Sequence, residues 1–346
     1  MIRVLPPWYR STLAIIIYLL IVFVIVYIVI KVRERNLRIQ TETLEIKVVE
    51  RTAEVEQQKS EILGKNHALE NQNAEIEAQR DMLANQHQRI SKQNKQITDS
   101  IQYAKRIQSA VLPSSKVLSD ENLDHFVIFH PKDIVSGDFY WFRKTNNYML
   151  MAVVDCTGHG VPGAFMSMLG NSFLNEIANR REIVKADQVL AEMRMHILDA
   201  LTQSGNCNES KDGMDMVFCA LNLETLTMEY AGAHIPLYFI RHGELIQVKP
   251  DKIPVGNHIW KSKPFTNHTL QMVRGDTIYL FTDGLADQFG GERGDKLKIR
   301  RLREIITQNY TLAMDQQKAI QEETLTNWMG DEFDQIDDIT MVGVRL

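Results

Sequence analysis

Residues 153–163 read VVDCTGHGVPG. An apolar run, MLMAVV, ends at Asp155, and two glycines, Gly158 and Gly160, follow at once. A helix-like segment, AFMSMLGNSFLNEI, starts just after Pro162. Strand, acid, glycine turn and helix in that order suit a hard cation, because backbone carbonyls and water can approach closely beside glycine. Three further acidic stretches repeat the setting: Asp138 in VSGDFYWF, Asp283 in YLFTDGLAD, and the pair Asp337 and Asp338 in DDITMVGVRL. Each lies at the edge of an apolar, strand-like run.

Around these stretches, residues from about 120 onward alternate between strands and helices. Strand patterns are HFVIFH, FYWF, YMLMAVVD, MVFCALNL, TMEYAGA, PLYFIRHGELIQV, TIYLFTD and ITMVGVRL. Helical patterns cover 164–180, 186–203, 299–309 and 315–329. Turn signals at Asn146-Asn147 and Gly243 predict antiparallel hairpins. Long helices set between such strands predict an α+β fold of sheets covered by helices, not a doubly wound one.

The N-terminal third differs. Leu13 to Ile30 is 18 residues without a charge. With Ser11 and Thr12 it reaches about 30 Å as a helix, the thickness of a bilayer core. A signal peptide has a shorter apolar region and a small-residue cleavage site, and this stretch has neither. The expectation is a transmembrane helix over 11–30, after a short extracytoplasmic segment, 1–10. Lys31, Arg33, Arg35 and Arg38 follow the span, whereas only Arg3 and Arg10 precede it. That bias puts the C-terminal side in the cytoplasm.

Beyond the span, a seven-residue repeat runs through Val48, Val55, Ile62, Leu69, Ile76, Leu83, Ile90 and Ile97, then Ala104 and Val111. The partner positions Thr52, Lys59, Asn66, Asn73, Arg80, His87 and Asn94 are polar. A half-apolar seam of this kind predicts a parallel coiled coil over 31–97 that joins two copies. It reads either as a signalling stalk or as a passive spacer. From Ile97 the stripe widens through Ile101, Ala104, Ile107 and Val111, so a helix over 98–112 is expected to pack on more than its twin. Pro113 stops it.

A net charge of −5 argues against a nucleic-acid binder. Cys156, Cys207 and Cys219 have neither metal spacing nor a disulfide pattern and suit a reducing compartment. Cys156 reads as a reactive thiol or as a strand-end residue whose backbone matters more. The run KDGMD, 211–215, reads as a turn before a strand or, as the lesser alternative, as a segment that touches the site. Asp287, Glu292, Asp331 and Glu332 read as solvated surface.

The segments VSGDFYW, VVDCTGHGVPGAFMS, YAGAHIPLY, IYLFTDGLAD and DDITMVGV, in that order, resemble the SpoIIE/RsbU-type serine/threonine phosphatases. These form a bacterial branch of the metal-dependent type-2C protein phosphatases. The resemblance covers roughly 120–346, and RIQSAVLP before it resembles the family's regulatory helix. PPWYR and VVERTAEVEQQKSEI resemble membrane-proximal parts of bacterial sensor proteins. In those a sensor domain precedes the span; here ten residues do, which implies a lost sensor or a piece of a longer protein.

The resemblance implies a four-layer α/β/β/α sandwich with the site at one end. It implies two divalent ions, Mn²⁺ or Mg²⁺, held by Asp155, Asp283 and Asp337, with Asp138 alongside and the backbone carbonyl of Cys156 contributing. Asp338 is the second choice of the adjacent pair. Paired cations about 3.5–4 Å apart ionise a water and neutralise phosphoryl oxygens, so no protein nucleophile is needed. His159 could protonate the leaving oxygen or could shape the loop, since DCTGHG displaces it by two residues from the family's DGHG. AGAHIP departs mildly from the family form, and GGERGDKLK, 290–298, has no clear counterpart.

The expectation is a membrane-anchored phosphatase acting on a phosphorylated signalling protein, of the anti-sigma-factor-antagonist type. Two other readings remain open: a catalytically silent docking module, and a nucleotide cyclase. Four acids at motif positions weigh against the first, and the lack of a purine pocket pattern against the second.

Overall fold

A computed structural model describes residues 8–114, 116–180, 185–202, 213–256 and 263–346. The chain divides into two bodies, Met1–Lys92 and Gln93–Leu346. Arg3, Cys207 and the first two residues of KDGMD lie outside the described residues.

The first body is helical. After a 3₁₀ turn, Trp8–Arg10, helix α1 covers Thr12–Val111, of which 93–111 belong to the second body. Its start is long and apolar enough to cross a membrane by length and composition. Leu13 and residues 15–30 are exposed around the helix, and so are Val55, Ile62, Leu69, Ile76, Leu83 and Ile90 of the heptad stripe.

In the second body the elements follow as α2 (Lys116–Asp120), β1 (Asp124–His130), β2 (Phe139–Thr145), β3 (Tyr148–Cys156), α3 (Gly160–Arg180), α4 (Ala186–Thr202), β4 (Gly213–Asn222), β5 (Thr227–Ala233), β6 (Leu237–Arg241) and β7 (Glu244–Val248). Then come β8 (Val255–Gly256), β9 (His268–Gln271), β10 (Thr277–Phe281), α5 (Gly284–Asp287), β11 (Phe289–Gly290), β12 (Asp295–Lys296), α6 (Lys298–Asn309), α7 (Met314–Met329) and β13 (Ile339–Arg345). The eight expected strand runs all form strands, and the four expected helices all form. Short elements such as β8, β9, β11, β12, α2 and α5 carry too few residues for a periodic signal.

One sheet has five strands in the order β1-β13-β10-β6-β7; the other runs β2-β3-β4-β5-β9, with β8 against β4. Neighbours in both are antiparallel. The hairpins turn where the sequence signals: Asn146, His242 and Gly243 take positive φ, which two-residue loops require.

Alternation on the central strands builds the layers. Met149, Met151 and Val153 of β3 join Val217, Cys219 and Leu221 of β4 against Ile278, Leu280, Val342 and Val344 of the facing sheet. The alternate residues Leu150, Ala152, Val154, Met216, Phe218 and Ala220 pack under Leu174, Ile177, Leu190 and Met193 of α3 and α4. On the other side, Tyr279, Phe281, Ile339 and Met341 pack under Leu302 and Ile306 of α6 and Leu325 of α7. The domain is therefore α/β/β/α, with central strands apolar on both faces. Fully burying one such Val, Leu or Phe contributes about 1.5–3 kcal/mol.

Candidate active site

The acids meet at one end of the sandwich because strands of both sheets end there. Asp155 is the penultimate residue of β3, and the register sets it directly opposite Asp215 of β4. Asp283 follows β10 and precedes α5; Asp337 and Asp338 lead into β13. Asp138 immediately precedes β2.

Glycines let these segments touch. A Cβ at Gly137 would lie 2.4 Å from the Gly158 carbonyl oxygen and 3.4 Å from that of Cys156. A Cβ at Gly163 would meet the same Gly158 oxygen at 2.2 Å. Thus VSGD and DCTGHGVPG pass backbone against backbone, as close approach at glycine allows. At Gly284 a Cβ would lie 2.0 Å from the Asp338 carbonyl oxygen, so the TDG and DDI segments are joined in the same way.

The two members of the C-terminal pair differ. Asp338 is buried, and its carboxylate accepts the amides of Lys132 at 2.8 Å and Gly137 at 2.7 Å. Asp337 is exposed, and its carboxylate accepts the Asp338 amide. Asp138 is buried and accepts the Thr282 hydroxyl at 2.7 Å. Thr282 in turn accepts the Thr340 amide at 3.1 Å.

Like charges and burial set the electrostatics. Burial, then Asp283, Asp337, Asp215 and Asp338, push the Asp155 carboxyl up to about 8. Burial, then Asp287 and Asp337, raise Asp283, with Lys296 opposing. Asp138 is held well above the usual range by burial and by Asp155, against the Thr282 hydrogen bond. Burial raises Asp215, while His234 opposes through a 2.8 Å contact. Carboxylates that raise one another's pKa in this way mark a functional cleft.

Asp155, Asp215 and Asp283 line one cavity of about 420 Å³ with His234, Thr282 and Asp287. Asp287 corrects the sequence reading, and Asp215 takes the lesser of its two: it is no turn residue, and strand pairing carries it to Asp155. Asp287 is not mere surface: it sits one helical turn after Asp283, accepts Lys296 at 2.7 Å, and faces the cavity. His234, at φ 58° in the β5–β6 turn, was also not singled out. The signal for Asp215 was its place at the start of a strand-like run; that for Asp287 was its i+4 spacing from Asp283.

His159 lies outside that lining. Its ring contacts Asp133 at 2.7 Å and Lys132 at 3.0 Å. Cys156 is buried, and burial with Asp138 and Asp155 pushes its thiol well up, so it is not a reactive thiolate.

The donor set suits hard divalent cations. Among the described residues, no three His, Cys, Asp or Glu side chains close around one point. A small ion that keeps several waters needs only one or two carboxylates. Separate carboxylates on one side of the cavity, each repelling the next, fit that mode.

The chain matches the family model "Stage II sporulation protein E (SpoIIE)" over residues 145–346. It is similar to phosphoserine phosphatase RsbU of Bacillus subtilis (strain 168), 26% identical over 202 residues, which are 56% of this chain and 55% of that protein. The chain thus spans about half the length of that relative. Among solved structures it is similar to the SiaA-PP2C domain of Pseudomonas aeruginosa, with 31% identity and a TM-score of 0.65 over 73% of this chain and 98% of that one. The PP2C phosphatase domain and regulatory fragment of Bacillus subtilis SpoIIE shares the fold, with 16% identity and a TM-score of 0.52 over 65% of this chain and 63% of that one. A sandwich that gathers its acids at one end, the motifs in order, and a family match over more than half the chain lead to one statement: this chain belongs to the SpoIIE family of PP2C-type domains.

Proposed function

We propose that the chain is a membrane-anchored protein serine/threonine phosphatase that hydrolyses phosphoserine or phosphothreonine on a signalling protein. The observation that carries this is the convergence of Asp155, Asp215 and Asp283 on one cavity, with Asp337 close enough to raise two of them. Asp155, Asp283 and Asp337 would hold two divalent ions, Mn²⁺ or Mg²⁺, with Asp215 beside them and the Cys156 carbonyl contributing. When bound, the ions supply neutralisation of the phosphoryl oxygens and acidification of a water. The protein's own groups do the rest. Asp338 and Thr282 fix the loops that carry Asp138 and Asp283. His234 holds Asp215.

The span 11–30 would anchor the chain in the cell membrane with the catalytic domain cytoplasmic, and the heptad stripe would pair two copies. The exposed apolar residues of both stretches support this reading. RsbU is named a phosphoserine phosphatase, which supports a phosphoprotein substrate; an anti-sigma-factor antagonist is the proposed one. The stalk and residues 98–112 would control assembly of the site.

The test is hydrolysis of p-nitrophenyl phosphate by the full chain in detergent, with Mn²⁺, with Mg²⁺ and with chelator, beside Asp155→Ala and Asp283→Ala. Metal-dependent turnover that both variants lose by a hundred-fold or more is expected. Turnover indifferent to chelator, or retained in both variants, would refute the assignment. Nucleoside triphosphate in place of the ester checks the cyclase reading.

A further inference from the structure

The acids occupy only part of the cavity lining. Ile235, Pro236, Tyr238, Phe281, Ala286 and Ile299 make up most of the remainder. Ile235, Tyr238, Phe281 and Ala286 are buried and also serve the core, while Pro236 and Ile299 keep part of their surface open to the cavity. The wall is also fixed in place. Tyr238 stacks on Phe281 with ring centroids 5.2 Å apart and planes within 6°. Arg303 donates to the Tyr238 hydroxyl at 2.6 Å and covers its ring, 4.9 Å from the centroid. A preformed cavity that sets an apolar wall beside convergent polar groups is a common form of side-chain or small-ligand pocket.

Lys298 lines the same cavity. It opens α6 with φ 68°, the left-handed region that a lysine rarely adopts. Such a conformation persists where its surroundings impose it, and it concentrates at ligand sites. Lys298 is exposed, and no ion pair or side-chain hydrogen bond engages it among the described residues. Its neighbour Lys296 is the lysine bound to Asp287. The Lys298 ammonium is therefore available to an incoming group.

We infer that this cavity is a specificity subsite for the phosphoprotein. It seats one apolar side chain, of leucine or methionine size, next in sequence to the phosphorylated residue, while Lys298 holds an oxygen of the same segment. The inference rests on the phosphatase reading above and adds the substrate class. It also gives a role to the 290–298 segment, which the family resemblance does not cover clearly: the segment leads into the cavity wall.

The experiment uses the full chain in detergent with Mn²⁺ and phosphoserine peptides that differ only in the adjacent residues, Leu, Ala or Asp. The kcat/KM for Leu is expected to exceed that for Ala by about ten-fold or more, the usual discrimination of an apolar pocket. Ile299→Asn should bring that ratio close to one, and Ile299→Val should keep it. Lys298→Gln should raise KM for every peptide. By calorimetry with chelator present, the unphosphorylated Leu peptide should bind more tightly than the Ala peptide. Metal-dependent turnover with a Leu/Ala ratio near one in the unaltered chain would overturn the subsite and leave the phosphatase reading intact. Absence of metal-dependent turnover on every peptide and on p-nitrophenyl phosphate would overturn both. If Ile299→Asn fails to fold by circular dichroism, the ratio in the unaltered chain still decides.

Discussion

Thr282 donates its hydroxyl to Asp138 at 2.7 Å, although 144 residues separate them. The bond joins an end of one sheet to the strand that begins the other. It is buried, and Thr282 also accepts the Thr340 amide. Thr282→Val keeps the shape and removes both bonds. Leaving a buried donor and acceptor unpaired costs about 1–3 kcal/mol. The midpoint of urea unfolding should fall accordingly, and metal-dependent turnover should drop at least ten-fold. An unchanged midpoint would show that water replaces the hydroxyl.

Gly284 meets the Asp338 backbone. A Cβ would lie 2.0 Å from a carbonyl oxygen, which cannot rotate away as a side chain would. Gly284→Ala must push the Asp283 segment from the Asp338 segment. We expect a loss of about 1–3 kcal/mol, typical of overpacking, and a rise in the metal concentration needed for half-maximal turnover. Full activity at unchanged metal demand would argue against contact between the two segments.

Asp155 titrates near 8 in the metal-free fold, above its ordinary value of 3.8. The folded state therefore binds this proton more tightly than the unfolded chain does. The stabilisation is complete below about pH 4 and is lost as pH rises through about 8. Chelated protein should accordingly show a Tm that declines from pH 5 to pH 8, and Asp155→Asn should flatten that decline. Divalent cation should restore more stability at pH 8 than at pH 5, because it competes with the proton. Scanning fluorimetry across pH, with and without Mn²⁺, reads both effects.

Gln108 is buried near the C-terminal end of α1. Its side chain donates to the Ser136 carbonyl at 2.6 Å and to the Ser167 hydroxyl at 2.9 Å, and it accepts the Ser136 amide at 3.1 Å. Ser136 lies two residues before Asp138. Gln108→Ala should lower kcat by several-fold with little change in KM, and a chain starting near residue 118 should show the same deficit at matched metal. Equal activity in that shortened chain and the full chain would remove residues 98–112 from control of the site.

The sequence alone determined the longer elements and most of the acids. Strand runs of four to eight apolar residues and helices of ten or more declare themselves by period. Asn146-Asn147 and Gly243 declare their hairpins by backbone preference. Asp155, Asp138 and Asp283 could be singled out because each ends or begins such a run. Helices set between strand runs also declare that the sheets are covered by helices; that α3 and α4 take one sheet and α6 and α7 the other is a matter of the folded chain.

The tertiary structure decided what depends on register and on distant contacts. Asp215 became part of the site because β3 and β4 pair with Asp155 opposite it, a relationship that no local pattern carries. Between Asp337 and Asp338 the family resemblance favoured Asp337, but the local sequence pattern offered no ground of its own for the choice. In the fold Asp338 is buried on the amides of Lys132 and Gly137, while Asp337, in the bend before it, stays exposed. His159, beside the key acid in sequence, turned instead to Lys132 and Asp133. A residue's type and spacing fix what chemistry it can do; which partners it meets is set by chain segments more than a hundred residues away, through packing that only the folded state provides.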